Sequence, residues 1–258
     1  MQTTLHQTQG FVLMIHGLNL KPAKMLSLSH ELSAMNFSVL NVELSGHRAE
    51  SDWTKVSRSQ WLSEIKTAYE NLKSQAGLSP LFLVGYSLGA VLAMDLMQQD
   101  SSVQFQKAIL LSPPLEVHTM THLIEILGLI PTLKIPSLAP KEYRFHDGTS
   151  MRAYKALFQS IKAIHNGDFQ RLNIPTTVMM DPKDELVSFP KLKKLIRDRQ
   201  LSRWTIVPVS NQGSTLAKTY HHLMVDSASA GKTQWQAMLK TIQTSFQTTS
   251  YKSEENRC

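Results

Sequence analysis

A serine set between two glycines, Gly85-Tyr86-Ser87-Leu88-Gly89, separates an apolar run at 81–84 from a helix-competent stretch at 90–99. In that setting G-x-S-x-G is a nucleophile elbow, a sharp strand-to-helix turn that lifts the hydroxyl above the sheet edge within reach of a base. The turn strains the serine backbone, and side chains two residues away on either side would collide. Glycines at 85 and 89 remove the collision, and Ala90 lets the helix pack closely on the sheet. A hydroxyl is a weak nucleophile at neutral pH, so Ser87 needs a base, a carboxylate to orient that base, and donors for an oxyanion.

Each partner is sought at the end of a strand. One oxyanion donor is the amide after the nucleophile, at Leu88; the second comes from the loop after an earlier strand. There His16-Gly17-Leu18-Asn19 follows the apolar run 11–15 and offers the amide of Leu18. Losing one such donor costs on the order of 3 kcal/mol in barrier. His16 itself reads as a hydrogen-bonded structural residue. The carboxylate is sought in Asp181-Pro182-Lys183-Asp184-Glu185-Leu186-Val187, which follows the run 176–180. Asp181 reads as a turn residue before Pro182, Glu185 as solvent-facing, and Asp184, anchored by Leu186 and Val187, as the acid. After that acid, histidine occurs only in Tyr220-His221-His222-Leu223. Two adjacent imidazoles cannot both point at Ser87. His221 is chosen as the base, with His222 as a packing or supporting residue.

The elements that must position these groups alternate. Strands are expected at 11–15, 37–42, 81–84, 107–111, 176–180 and 203–209. Helices are expected at 24–35, 59–73, 90–99, 189–199 and 233–243. The helix at 59–73 buries Trp61, Leu62, Ile65, Ala68, Tyr69 and Leu72 on one face. Such alternation predicts an α/β fold with a mostly parallel sheet covered by helices on both faces. The rhythm breaks between 112 and 174, where no strand is evident. Two helix-like segments, 116–127 and 150–165, flank the proline-rich stretch 130–140. This stretch is expected to be a helical lid over a core built from 1–111 and 175–258. Met120, Leu123, Ile124 and Leu127 recur at helical spacing and could line an apolar substrate channel or simply hold the lid together.

Composition narrows the class. The 258 residues are 42% hydrophobic and 18% charged, ordinary for a globular chain. The net charge of +7 comes from scattered lysines and arginines; the densest run, 191–199, reads as the solvated face of a surface helix. Peripheral contact with anionic lipid is its functional alternative, and no nucleic-acid module accompanies it. The single cysteine, Cys258, precludes an internal disulfide. With no signal-peptide pattern at 1–15 and the apolar region 123–135 broken by Glu125, Gly128, Pro131 and Lys134, a cytoplasmic protein is expected. His118 and His122 lie four apart, a metal-ligand spacing, but Thr119 stands where a zinc-protease helix has glutamate, so no metal is expected. No glycine loop for phosphate or dinucleotide is present.

Taken together, the sequence resembles the α/β-hydrolase superfamily, near its monoglyceride-lipase and small carboxylesterase branch. The likeness is carried by Met14-Ile15-His16-Gly17-Leu18, the elbow 85–89, Asp184-Glu185-Leu186-Val187 and His221-His222-Leu223-Met224-Val225-Asp226. The last pattern, with leucine two and aspartate five residues after the histidine, is similar to the family's and favours His221. Glu43-Leu44-Ser45-Gly46-His47-Arg48 resembles the family's Gly-His-Gly loop, with Arg48 in place of the final glycine and His47 structural. Matched to the family, the first strand here corresponds to its third, implying a sheet of about six strands. The resemblance implies a serine hydrolase that cleaves carboxylic esters with an apolar acyl or alcohol group, needing no cofactor. Alternatives are a thioesterase, amidase or acyltransferase with the same triad, or a ligand-binding protein of this fold without the chemistry.

Overall fold

The computed structural model describes residues 8–48, 52–118 and 134–247. Six strands, β1 (Gly10–Ile15), β2 (Phe37–Val42), β3 (Leu81–Tyr86), β4 (Lys107–Leu111), β7 (Thr176–Met180) and β8 (Trp204–Pro208), form one sheet in the order β2-β1-β3-β4-β7-β8. Every pairing in it is parallel. All six residues of β3 are buried. Side chains alternate between faces along a strand, so this burial requires cover on both sides, which parallel sheets receive from their crossover helices.

The helices follow from local chemistry. In α2 (Arg58–Ala76), Ser57 caps the start by accepting from the Gln60 amide at 3.2 Å, and Trp61, Leu62, Ile65, Tyr69 and Leu72 face the core. Helix α3 (Leu88–Gln99) leaves the elbow and is buried from Leu88 to Gln98, between α2 and α4 (Met151–Asn166). Ser150 caps α4 through the Ala153 amide. Helix α1 (Leu26–Ala34) packs on β2, and α5 (Phe189–Asp198) links β7 to β8. After the single turn α6 (Ser227–Ala230), α7 (Lys232–Phe246) closes the sheet, with Phe246 stacked 4.6 Å from Phe82 and edge-on to Phe37 at 5.6 Å. Among the described residues no helix is long and apolar enough to cross a membrane.

Two expectations for 112–174 are corrected. A short antiparallel ladder, β5 (Lys134–Pro136) with β6 (Gly148–Ser150), occurs where no strand was expected. Three-residue strands carry too little alternation to stand out from a proline-rich loop. Residues 116–118 are extended rather than helical: Val117 bridges Val187, the His118 amide donates to Leu186 and the Ser188 amide to Glu116. Pairing with the loop after β7 overrides the helical periodicity there. Met120, Leu123, Ile124, Leu127 and His122 lie outside the described residues.

Candidate active site

Ser87 follows the last residue of β3 with φ 49° and ψ −115°, a strained conformation held by its amide, which donates to the Leu111 carbonyl at 2.9 Å. The flanking glycines are required by close approach. A Cβ on Gly85 would lie 2.6 Å from the Ala90 Cα, and one on Gly89 would lie 2.3 Å from the Ile15 carbonyl oxygen. The loop after β1 is equally tight against the elbow, since a Cβ on Gly17 would fall 2.6 Å from the Tyr86 ring and 3.2 Å from the Ser87 Cβ.

The imidazole that reaches Ser87 is that of His222, not that of His221 as expected. His222 Nε2 lies 2.8 Å from Ser87 Oγ, and its Nδ1 lies 2.8 Å from Asp184 Oδ2. A carboxylate only accepts, so Nδ1 carries the proton and Nε2 presents its lone pair to the hydroxyl. His221 turns instead to Asp181, with Nδ1 2.8 Å from Oδ2. The physical reason is a pair of facing turns. The Asp184 amide donates to Asp181 and the Leu223 amide to Tyr220, which brings carboxylates three apart opposite two adjacent imidazoles. Each ring takes its own carboxylate, and only the inner ring reaches the serine.

Asp184 is buried, and its Oδ1 accepts from the amides of Leu186 at 2.8 Å and Val187 at 2.9 Å. Burial alone would raise its pKa. Attraction to His222, the hydrogen bond from its ring and the two amides together outweigh that and hold it below the ordinary 3.8. Asp181, also buried, accepts from the amides of Lys183 and Asn211 besides His221.

The oxyanion candidates border the same space. Leu88 opens α3, so its N–H belongs to the positive end of that helix. Leu18 lies in the loop that Gly17 seats against the elbow, and it lines a cavity with Ser87 and His222. Asn19, at φ 56°, anchors the loop. Its amide donates to His47 Nε2, and its side chain exchanges hydrogen bonds with the His146 main chain in the segment before β6. His16 sits beneath: Nδ1 donates to the Gly17 carbonyl and Nε2 accepts from the Leu44 amide, while burial lowers its pKa from 6.5 to about 4. Burial first, and then His16 itself, lower that of His47 as well.

The cavity over Ser87 is walled mainly by Leu18, Leu20, Val117, Ile135, Leu138, Tyr154, Leu157, Phe158, Leu186 and Tyr220. Among the described lining residues none is Asp, Glu, Lys or Arg. Residues 135–139 and 154–158 come from the stretch expected to form a lid. His118 Nε2 donates to the Asp184 carbonyl at 3.1 Å.

Several supporting groups escape a sequence reading. Glu185, expected only to face solvent, is exposed, yet it accepts from the amides of His221 and His222, each at 3.0 Å. The Tyr86 hydroxyl donates to the His222 carbonyl at 3.1 Å; burial raises its pKa well above 10.0 and keeps it a donor. Buried Asn211 donates from Nδ2 to the carbonyls of Tyr220, His221 and Leu223. No periodic signal marks these roles, because the main-chain groups they bind, at 220–223, lie in an irregular loop.

The family described as Hydrolase_4, serine aminopeptidase S33, matches residues 6–227. No curated protein matches the sequence. Among solved structures, the chain is similar to one described with "LipS and LipT, two metagenome-derived lipolytic enzymes", at 18% identity and a TM-score of 0.74, covering 93% of this chain and 94% of that one. It is similar to a soluble variant of monoglyceride lipase from Saccharomyces cerevisiae in complex with a substrate analog, at 15% identity and a TM-score of 0.73, covering 96% and 90%. It is also similar to the thioesterase domain from the curacin biosynthetic pathway, at 19% identity and a TM-score of 0.58, covering 91% and 90%. These likenesses show the α/β-hydrolase fold.

Proposed function

Because the chain belongs to the hydrolase family described as serine aminopeptidase S33, we propose that it is a serine hydrolase cleaving carboxylic esters. The observation that carries the reading is the unbroken hydrogen-bonded series Ser87–His222–Asp184 opening on an apolar cavity. Ser87 Oγ attacks the ester carbonyl while His222 Nε2 takes its proton, and Asp184 holds the ring in the Nδ1–H tautomer and stabilises the imidazolium. The amides of Leu18 and Leu88 receive the oxyanion. His222 then protonates the departing alcohol, leaving an acyl-serine. A water molecule, losing its proton to His222, attacks the acyl carbon; as the intermediate collapses, His222 gives that proton to Ser87 Oγ and the acid is released.

The residues 112–174 serve as a cap over a core of 1–111 and 175–258. The apolar wall favours an ester with an apolar acyl or alcohol group. An amide substrate is the second reading, favoured by the family's description as aminopeptidases. A free α-ammonium group would call for a carboxylate, and the described cavity lining offers none. The single cysteine, Cys258, can form no internal disulfide, and a cytoplasmic setting is compatible with that.

Turnover of nitrophenyl esters of graded acyl length, set beside alanine nitroanilide, tests this. Faster turnover of the esters, lost in Ser87→Ala, is expected. Preference for the nitroanilide would transfer the assignment to the amide reading, and ester turnover that survives in Ser87→Ala would remove Ser87 from the chemistry.

A further inference from the structure

Resting on the serine-hydrolase reading, we propose that Glu185 is a positioning residue that holds the main chain of His222 in place for proton transfer. Its Oε1 accepts from the His221 amide and its Oε2 from the His222 amide, both at 3.0 Å. Asp184, the residue before it, holds the ring of the same histidine. Consecutive carboxylates of one loop therefore grip one residue twice, once by its imidazole and once by its backbone. The opposite side of the strap is met by donors: the Tyr86 hydroxyl on the His222 carbonyl, and Asn211 on the carbonyls of its neighbours.

Glu185 is the exposed member of this set. Its side chain fills no core space, so its removal opens no cavity. The two amides it releases can bind water, which supplies hydrogen bonds without a rigid frame. Charge-assisted bonds of this kind are about twice as strong as neutral ones. A displacement of about 1 Å at a reacting group can cost about a hundredfold in rate. The role is thus exerted on the ring through the backbone, and substrate binding is left alone.

The test uses the full chain with Glu185→Ala and Glu185→Gln. It reads kcat and KM on a nitrophenyl ester per site titrated by fluorophosphonate, the melting temperature, and the downfield proton NMR resonance of His222 Nδ1–H, identified by its absence in His222→Ala. In Glu185→Ala, kcat falls about tenfold or more with KM within about twofold, and the Nδ1–H resonance broadens while the fold persists. Glu185→Gln is intermediate, since its one carbonyl oxygen keeps one amide. An unchanged kcat per titrated site, or a loss that merely follows the unfolded fraction, overturns the proposal. Should the wild type neither label nor turn over, the serine-hydrolase reading fails and the resonance decides alone: broadened in Glu185→Ala it upholds the clamp, unchanged it refutes it.

Discussion

His222 Nε2 lies 2.8 Å from Ser87 Oγ, while the ring of the preceding residue, His221, is held 2.8 Å from Asp181. Adjacent histidines therefore have separate carboxylates, Asp181 and Asp184. His222→Ala is expected to lower kcat by about 10⁴-fold or more. His221→Ala is expected to stay within about tenfold of wild type, because its ring meets a turn carboxylate and leaves the serine alone. Steady-state kinetics on one ester substrate decides it. Equal losses in the two variants would mean that the rings share the proton transfer.

The carboxylates should divide in the same way. Asp184→Asn is expected to drop kcat by about 10⁴-fold, since an amide in place of the carboxylate favours the wrong imidazole tautomer. Asp181→Asn keeps that hydrogen bond intact and is expected to affect mainly stability, through the amides of Lys183 and Asn211. The folded pKa of Asp184 lies below the ordinary 3.8. Its charge therefore stabilises the fold above that value, and the contribution is lost as pH falls through the folded one. Urea midpoints of wild type and Asp184→Asn should keep a constant gap well above 3.8 and draw together as pH falls below it.

The elbow stores strain at Ser87, whose φ of 49° suits glycine better than an L-residue. Ser87→Gly is therefore expected to be more stable than Ser87→Ala, by about 1 kcal/mol, although both lose activity. Gly89 behaves oppositely, since a methyl there would meet the Ile15 carbonyl at 2.3 Å. Gly89→Ala should cost about 3 kcal/mol or more. Thermal melts of the three variants test both statements, and a Gly89→Ala protein that melts with wild type would contradict the close packing of α3 on β1.

Acid sensitivity should trace to the histidines beneath the loop after β1. Burial lowers the His16 pKa from 6.5 to about 4, so the unfolded chain takes up a proton across that interval while the folded one does not. Stability from neutral His16 is full above 6.5 and declines as pH falls toward 4, by about 3 kcal/mol at most. His47, lowered for the same reason, adds in the same direction. His16→Gln should flatten the dependence of the denaturant midpoint on pH in that window. A wild-type midpoint constant from pH 7 to pH 4 would speak against the buried neutral state.

What the sequence made legible was local or periodic. Most of the six parallel strands could be read because a short apolar run has a helical pattern after it, and the turn at Ser87 because its glycines sit between such a strand and helix. The partition of Asp181 and Asp184 between His221 and His222 was not legible. Both pairs lie in turns, where no period of two or 3.6 tells which way a side chain points, and a family-like spacing of leucine and aspartate favoured the wrong ring. Val117 illustrates the same limit, since a helical pattern yielded to pairing with Val187, some seventy residues further on. Glu185 looked like a solvated charge because its partners are backbone amides, which every sequence contains.

Fluorophosphonate labelling at neutral pH, with the modified peptide mapped in wild type and in Ser87→Ala, His222→Ala and His221→Ala, tests the central claim most directly. The account predicts rapid labelling of wild type at Ser87, none in Ser87→Ala, little in His222→Ala and near wild-type labelling in His221→Ala. Labelling that persists in His222→Ala but vanishes in His221→Ala, or a wild type whose Ser87 stays unmodified, would contradict it.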